Sequence, residues 1–143
     1  MSIEESQKQL IEEFSQVKNW EERYKKIIDL GKSLPKLSDD LYDSKYLVKG
    51  CQSQVWLHAE LDSEGKVALQ ADSDAMIVKG LVALLLKVYS NQKPSDILNT
   101  PPEFMKELGL DTHLSPSRAN GFASMIKQIM MYAFTFQKLA ENK

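Results

Sequence analysis

Apolar residues recur at helical spacing near both ends of the chain and alternate with polar ones only in its middle. The acidic amphipathic start, MSIEESQKQLIEEF, predicts a helix over about residues 3–15. Asn19 is a good N-cap, and Glu22 three residues on suggests a capping box for a second helix. Trp20, Tyr24, Ile27 and Ile28 form its buried face, and Gly31 with Pro35 should stop it. A polar loop is expected from Pro35 to about Lys45. Val55, Leu57, Ala59 and Leu61 then alternate with Trp56, His58 and Glu60, and Val67, Leu69 and Ala71 repeat the pattern. Asp62-Ser63-Glu64-Gly65 between them predicts a hairpin turn. KYLVKG, ahead of Cys51, reads as a third, edge strand.

Beyond the hairpin, Ser73 or Asp74 should cap a helix running to about Ser90. That helix is apolar nearly all round and so belongs deep in the core. Thr100-Pro101-Pro102-Glu103 opens a short helix with proline in its first turn and Glu103 at the capping-box position. Ser115-Pro116 opens the last and longest helix, whose apolar stripe is Phe122, Met125, Ile126, Ile129, Met130, Ala133 and Phe134. Strands grouped together, with helices on either side in sequence, predict an α+β fold: a small three-stranded antiparallel sheet packed with helices from both chain ends.

The 143 residues fit one domain, 1–143, large enough for its own core. Apolar residues make up 43% and charged residues 27%, ordinary for a globular chain. A net charge of −2 argues against a nucleic-acid partner. The start of the chain lacks the basic and apolar regions of a signal peptide. The longest apolar run, Ala75 to Tyr89, carries Lys79 and Lys87 and is short for a membrane span. No membrane partner is expected. The single cysteine excludes an internal disulfide and any multi-thiolate metal site. A reducing, cytoplasmic setting follows as the expectation.

That cysteine, Cys51, lies in GCQSQVW. Free cysteines usually pack as small buried hydrophobes. Here Lys49, Gln52, Ser53 and Gln54 are polar and Gly50 precedes, a composition that fits a turn presenting a thiol. The residues alone leave both readings open. His58 falls on the Trp56 face of a strand and His113 precedes the last helix. Neither makes a Cys–His catalytic pair, and their spacing gives no support to a metal site with Cys51. Asp72-Ser73-Asp74 can be a helix cap, or can place Asp74 on the same exposed edge as the Cys51 loop. Arg118, in the first turn of the last helix, is disfavoured by the dipole and calls for a carboxylate on this chain or another. The last helix's Met125, Met130 and Met131 read mainly as core filling.

GCQSQVW, followed by DSDAMIVKGL and HLSPSRANG, with NWEERYKKIIDLGKSLPKL before them, resembles the SufE family (SufE/CsdE-like). The likeness runs over nearly the whole chain. It implies a fold resembling the IscU-type scaffolds. It also implies a sulfurtransferase-like accessory protein that accepts sulfur from a cysteine desulfurase (SufS/CsdA-like) as a persulfide on one cysteine. Such a protein stimulates the desulfurase and hands sulfur to an iron–sulfur scaffold complex (SufBCD-like). The family's Gly-Cys-Gln-Ser motif maps the acceptor onto Cys51. No cofactor is implied, since pyridoxal phosphate belongs to the desulfurase, and no metal. Family members can associate as dimers, which allows a homodimer here.

On this reading the Cys51 thiolate attacks the outer sulfur of the partner's persulfide. Cys51 should be partly shielded at rest, with Trp56 or the buried helix lining its position, and the loop around Gly50 should move to reach the partner. Gly50, Gln52, Ser53, Asp74 and Arg118 are the expected loop and docking residues. Two other classes remain: a non-covalent desulfurase activator, and a single-cysteine redox sensor.

Overall fold

A computed structural model describes residues 1–141 of the chain. Helix α1 spans Ile3–Ser15 and starts on a full capping box between Ser2 and Glu5. Helix α2 spans Trp20–Lys32, with the Asn19 side chain accepting from the Glu22 N–H. The turn residue expected to stop α2 lies inside it. Gly31 is buried, and a Cβ there would sit 2.7 Å from the Gly80 backbone nitrogen. Its role is therefore close approach to another helix rather than termination.

Strands β1 (Val55–Leu61) and β2 (Val67–Ser73) pair antiparallel with Leu57 opposite Ala71 and His58 opposite Gln70. Val55, Leu57, Ala59, Val67, Leu69 and Ala71 turn into the core, as the alternation predicts. The sheet has two strands, and the expected third is absent from it. The Asp43 carboxylate accepts from the Lys45 N–H and winds Ser44–Tyr46 into a 3-10 turn. Gly50, at φ +94°, then bends the chain away. Only a bridge from Leu47 to Trp56 is left, with the Val48 N–H donating to the Val55 carbonyl at 2.8 Å.

The segment before that bridge is less polar in its behaviour than its composition suggests. Leu37 and Leu41 are buried, a second 3-10 turn covers Asp39–Leu41, and Tyr42 and Tyr46 stand edge-on against Trp56 and His58. It covers the outer face of the sheet.

Helix α3 (Met76–Tyr89) is the centre of the core. It crosses α2 where Gly31 meets Gly80. The short helices α4 (Pro94–Asn99), α5 (Phe104–Glu107) and α6 (Leu110–His113) follow, and α7 (Pro116–Glu141) closes the fold. Of these, α4 and α6 have no counterpart in the sequence reading. Glu103 does not cap α5 with its side chain. The Phe104 N–H donates instead to Oε1 of buried Gln7 on α1, at 2.9 Å. Along α7 the core side takes Gly121, Phe122, Met125, Ile129 and Ala133. Phe134 lies off that stripe and is 54% exposed, contrary to expectation, while Tyr132 turns inward and donates to the Leu57 carbonyl at 2.9 Å. Among the described residues no helix is long and apolar enough to cross a membrane.

Candidate functional site

The Cys51 loop is fastened at both ends. On one side the Val48–Val55 bridge closes it. On the other, the Gln54 N–H donates to Asp74 Oδ1 at 3.0 Å. The Gln54 carbonyl accepts from the Ser73 hydroxyl at 2.8 Å and the Asp74 N–H at 3.3 Å. Lys49 to Ser53 therefore form a short arch on a fixed base. The expected cap of α3 does not form: the N-cap is Ala75, with no side-chain cap. Asp74 turns its side chain to the neighbouring loop, and the Ser73 hydroxyl donates to that loop while accepting from the Ala75 N–H at 3.3 Å.

Under the arch lies a recess of about 380 Å³ between α3 and α7. Cys51, Gln52 and Ser53 form its loop side, Val78 and Leu81 its α3 wall. Met125, Gly121 and Arg118 face it from α7, with Ser115 and Ser117 at the helix start. The Ser115 hydroxyl accepts from the Arg118 N–H at 3.4 Å, a helix cap of the expected kind. Arg118 is exposed, and among the described residues it has no ion-pair partner.

Cys51 itself is half-buried, and its thiol donates to the Gly121 carbonyl at 3.5 Å. Burial pushes the thiol above its ordinary value, because the anion would lose water without gaining a charged partner. At rest this is a thiol rather than a thiolate. The shielding matches the sequence expectation, and of the two linings expected the buried helix supplies it through Val78 and Leu81, while Trp56 packs with Tyr42 on the far face of the sheet and does not line the recess.

The structure brings Gln52, Ser53 and Arg118 to the recess with Cys51. Gly50 lies beside it against Ser124, and Asp74 lies at the loop's end, outside the recess. The histidines stand apart. His58 Nε2 is 3.8 Å from Glu60 under the Tyr46 ring, and His113 stacks on Trp20 with centroids 4.2 Å apart. Among the described residues no three His, Cys, Asp or Glu side chains converge as a metal site. Sequence reasoning missed Gly121. The signal was there, since a glycine inside a helix costs about 1 kcal/mol against alanine and calls for a packing reason.

Fold and site together define an α+β protein that shelters one thiol on a short arch. The solution structure of a hypothetical protein from Thermus thermophilus has a similar fold. Its TM-score is 0.77 at 23% identity, over 93% of this chain and 96% of that one. The model of the SufE family, described as the Fe-S metabolism associated domain, matches residues 8–133. The chain belongs to the SufE family, which places it in iron–sulfur metabolism.

Proposed function

We propose that the chain is a sulfur carrier for iron–sulfur cluster assembly. It takes the outer sulfur of a cysteine desulfurase persulfide onto Cys51, stimulates the desulfurase and delivers the sulfur to the assembly scaffold. The observation that carries this reading is the sheltered arch. The chain's only cysteine sits beside a recess of about 380 Å³, room for a second sulfur, on a loop of five residues with fixed ends.

The chemistry is sulfur exchange. Cys51 loses its proton and the thiolate attacks the outer sulfur of the partner's persulfide. A sulfur–sulfur bond forms on Cys51, the one on the partner breaks, and the partner's cysteine leaves as a thiolate that takes up a proton. No external oxidant is needed, because one sulfur–sulfur bond replaces another. A SufS/CsdA-like desulfurase supplies the persulfide with its own pyridoxal phosphate, and a SufBCD-like scaffold receives the sulfur. Asp74 and Arg118 belong to the docking surface around the arch. Arg118, exposed at a helix start that disfavours its charge, suits a carboxylate on the desulfurase.

Intact-protein mass spectrometry tests the reading. The chain is incubated with desulfurase and L-cysteine without reductant. Wild type should gain a sulfur atom that dithiothreitol removes, and Cys51→Ser should gain none. Wild type without an adduct, beside a mutant that still stimulates turnover, would make the protein a non-covalent activator.

A further inference from the structure

The recess beside Cys51 is far larger than a sulfur atom requires. A second sulfur takes roughly the room of one water molecule in the liquid, about 30 Å³. The recess offers about 380 Å³, the size of a pocket for a small organic ligand. It also opens onto the reactive atom. Gly121 puts no side chain there, and a Cβ on it would lie 3.4 Å from Cys51 Sγ.

The walls specify a chemistry. Val78, Leu81 and Met125 are buried and give the recess an apolar floor. Arg118 is the charged residue on its lining, and among the described residues no carboxylate pairs with it. The hydroxyls of Ser115 and Ser117, 3.5 Å apart, stand on the same wall. Ser115 already closes the helix start by accepting from the Arg118 N–H at 3.4 Å. The guanidinium, rather than the helix end, is therefore the group that selects an anion. A guanidinium fork matches a carboxylate best.

We propose that the recess binds a low-molecular-weight thiol carrying a carboxylate, and that this thiol takes the sulfur from Cys51. The proposal rests on the sulfur-carrier reading and gives the same site a small-molecule acceptor beside the protein scaffold. The carboxylate pairs with Arg118, the carbon chain lies on the apolar floor, and the sulfur end meets Cys51. The ligand's thiolate attacks the outer sulfur of the Cys51 persulfide. A sulfur–sulfur bond forms on the ligand and the one on Cys51 breaks. Cys51 leaves as a thiolate and takes up a proton, and the ligand departs as a small persulfide. No oxidant or reductant is consumed. One guanidinium fork holds one carboxylate in this way, so the small thiol and a desulfurase carboxylate compete for Arg118. Sulfur leaves by this route only after the desulfurase has gone.

The test loads Cys51 with inorganic polysulfide, which needs no desulfurase, and removes the excess. Intact mass then follows the loss of the added sulfur to three thiols: anionic mercaptopropionate, neutral mercaptoethanol and cationic cysteamine. Rates are compared per thiolate. Mercaptopropionate should be about tenfold faster than the others and should saturate at about 1 mM, an affinity within reach of so small a ligand. The other two should stay linear in concentration. Arg118→Gln should bring the three rates together, and Arg118→Lys should keep part of the preference. Circular dichroism melts confirm that both variants fold. The unreactive thioether methylthiopropionate should shift the amide signals of Gln52 and Gly121 in unloaded wild type and not in Arg118→Gln, and it decides alone if polysulfide leaves Cys51 unloaded. Equal rates in wild type, or a preference that Arg118→Gln leaves intact, would overturn the site. So would a thioether that shifts neither amide. Loading by desulfurase is read separately. A chain that polysulfide loads and desulfurase does not would end the sulfur-carrier reading, while the three rates still judge the thiol site.

Discussion

At the residue scale, Cys51 and Arg118 share a recess but answer to different forces. Cys51 is held by burial and a neutral acceptor, and burial raises its thiol above the ordinary value. Arg118 projects from the first turn of α7 without a carboxylate among the described residues, so its charge is available to a partner. Arg118→Glu should weaken desulfurase binding about tenfold, the equivalent of about 1.4 kcal/mol. The loss should shrink at high salt, because the contact is solvent-exposed. Titration calorimetry at two ionic strengths measures both effects. Equal affinity for wild type and mutant at both would remove Arg118 from the docking surface. Asp74 contributes differently, since its carboxylate is already engaged by the Gln54 N–H. Its sequence position beside a helix start suggested a cap. The other reading, Asp74 on the edge of the Cys51 loop, is the one that holds, although that loop is twenty residues away in sequence.

At the element scale, the crossing of α2 and α3 fixes the frame beneath the arch. A Cβ on Gly80 would fall inside van der Waals contact of the Ile27 carbonyl oxygen. Backbone cannot rotate away as a side chain can, so Gly80→Ala must part the helices. It should cost about 3 kcal/mol, visible as a lowered midpoint in urea. Gly65→Ala is the comparison: open space surrounds it and only φ +77° opposes a side chain, at about 1 kcal/mol. A Gly80→Ala variant as stable as Gly65→Ala would mean the crossing is looser than drawn. Elements like these were partly legible from pattern alone. The strand alternation, the Asn19 cap and the Ser115-Pro116 start all rest on local chemistry, and the structure has them. What failed depends on distant partners. KYLVKG has strand-like residues, but Asp43 and Gly50 break it on either side. Gly31 reads as a stop, but the reason for it lies on α3. The short α4 and α6 are too brief for periodicity to reveal. For the site, the four-motif resemblance pointed to Cys51, while Gly121 needed the packing of α7 to be seen.

At the scale of the whole molecule, one polar network ties the covering segment, the sheet and α3 together. The Tyr42 hydroxyl donates to Asp72 Oδ2 at 2.6 Å and accepts from the Leu37 N–H at 3.2 Å. Lys79 Nζ lies 3.3 Å from Asp72 Oδ1, which also accepts from the Ser73 N–H at 2.8 Å. Burial alone would raise the Asp72 carboxyl. The hydrogen bonds from Tyr42, the Ser73 N–H and Lys79, with the charge of Lys79, outweigh it and hold the group below its usual range. An acid whose folded value is depressed adds stability above its unfolded value, about 3.9, and loses it as the pH falls through the folded value. Asp72→Asn keeps the shape and removes the charge. It should cost about 2 kcal/mol near neutrality, the scale of hydrogen bonds to a charged group. The gap between wild type and mutant should stay constant from about pH 7 to pH 5 and narrow toward pH 2, as wild type protonates and the mutant has nothing at this position to titrate. Urea unfolding at each pH measures it. A gap that is the same at every pH would show that Asp72 serves through shape alone, and that its charge does not help hold the sheet and α3 as the fixed base from which the Cys51 arch departs.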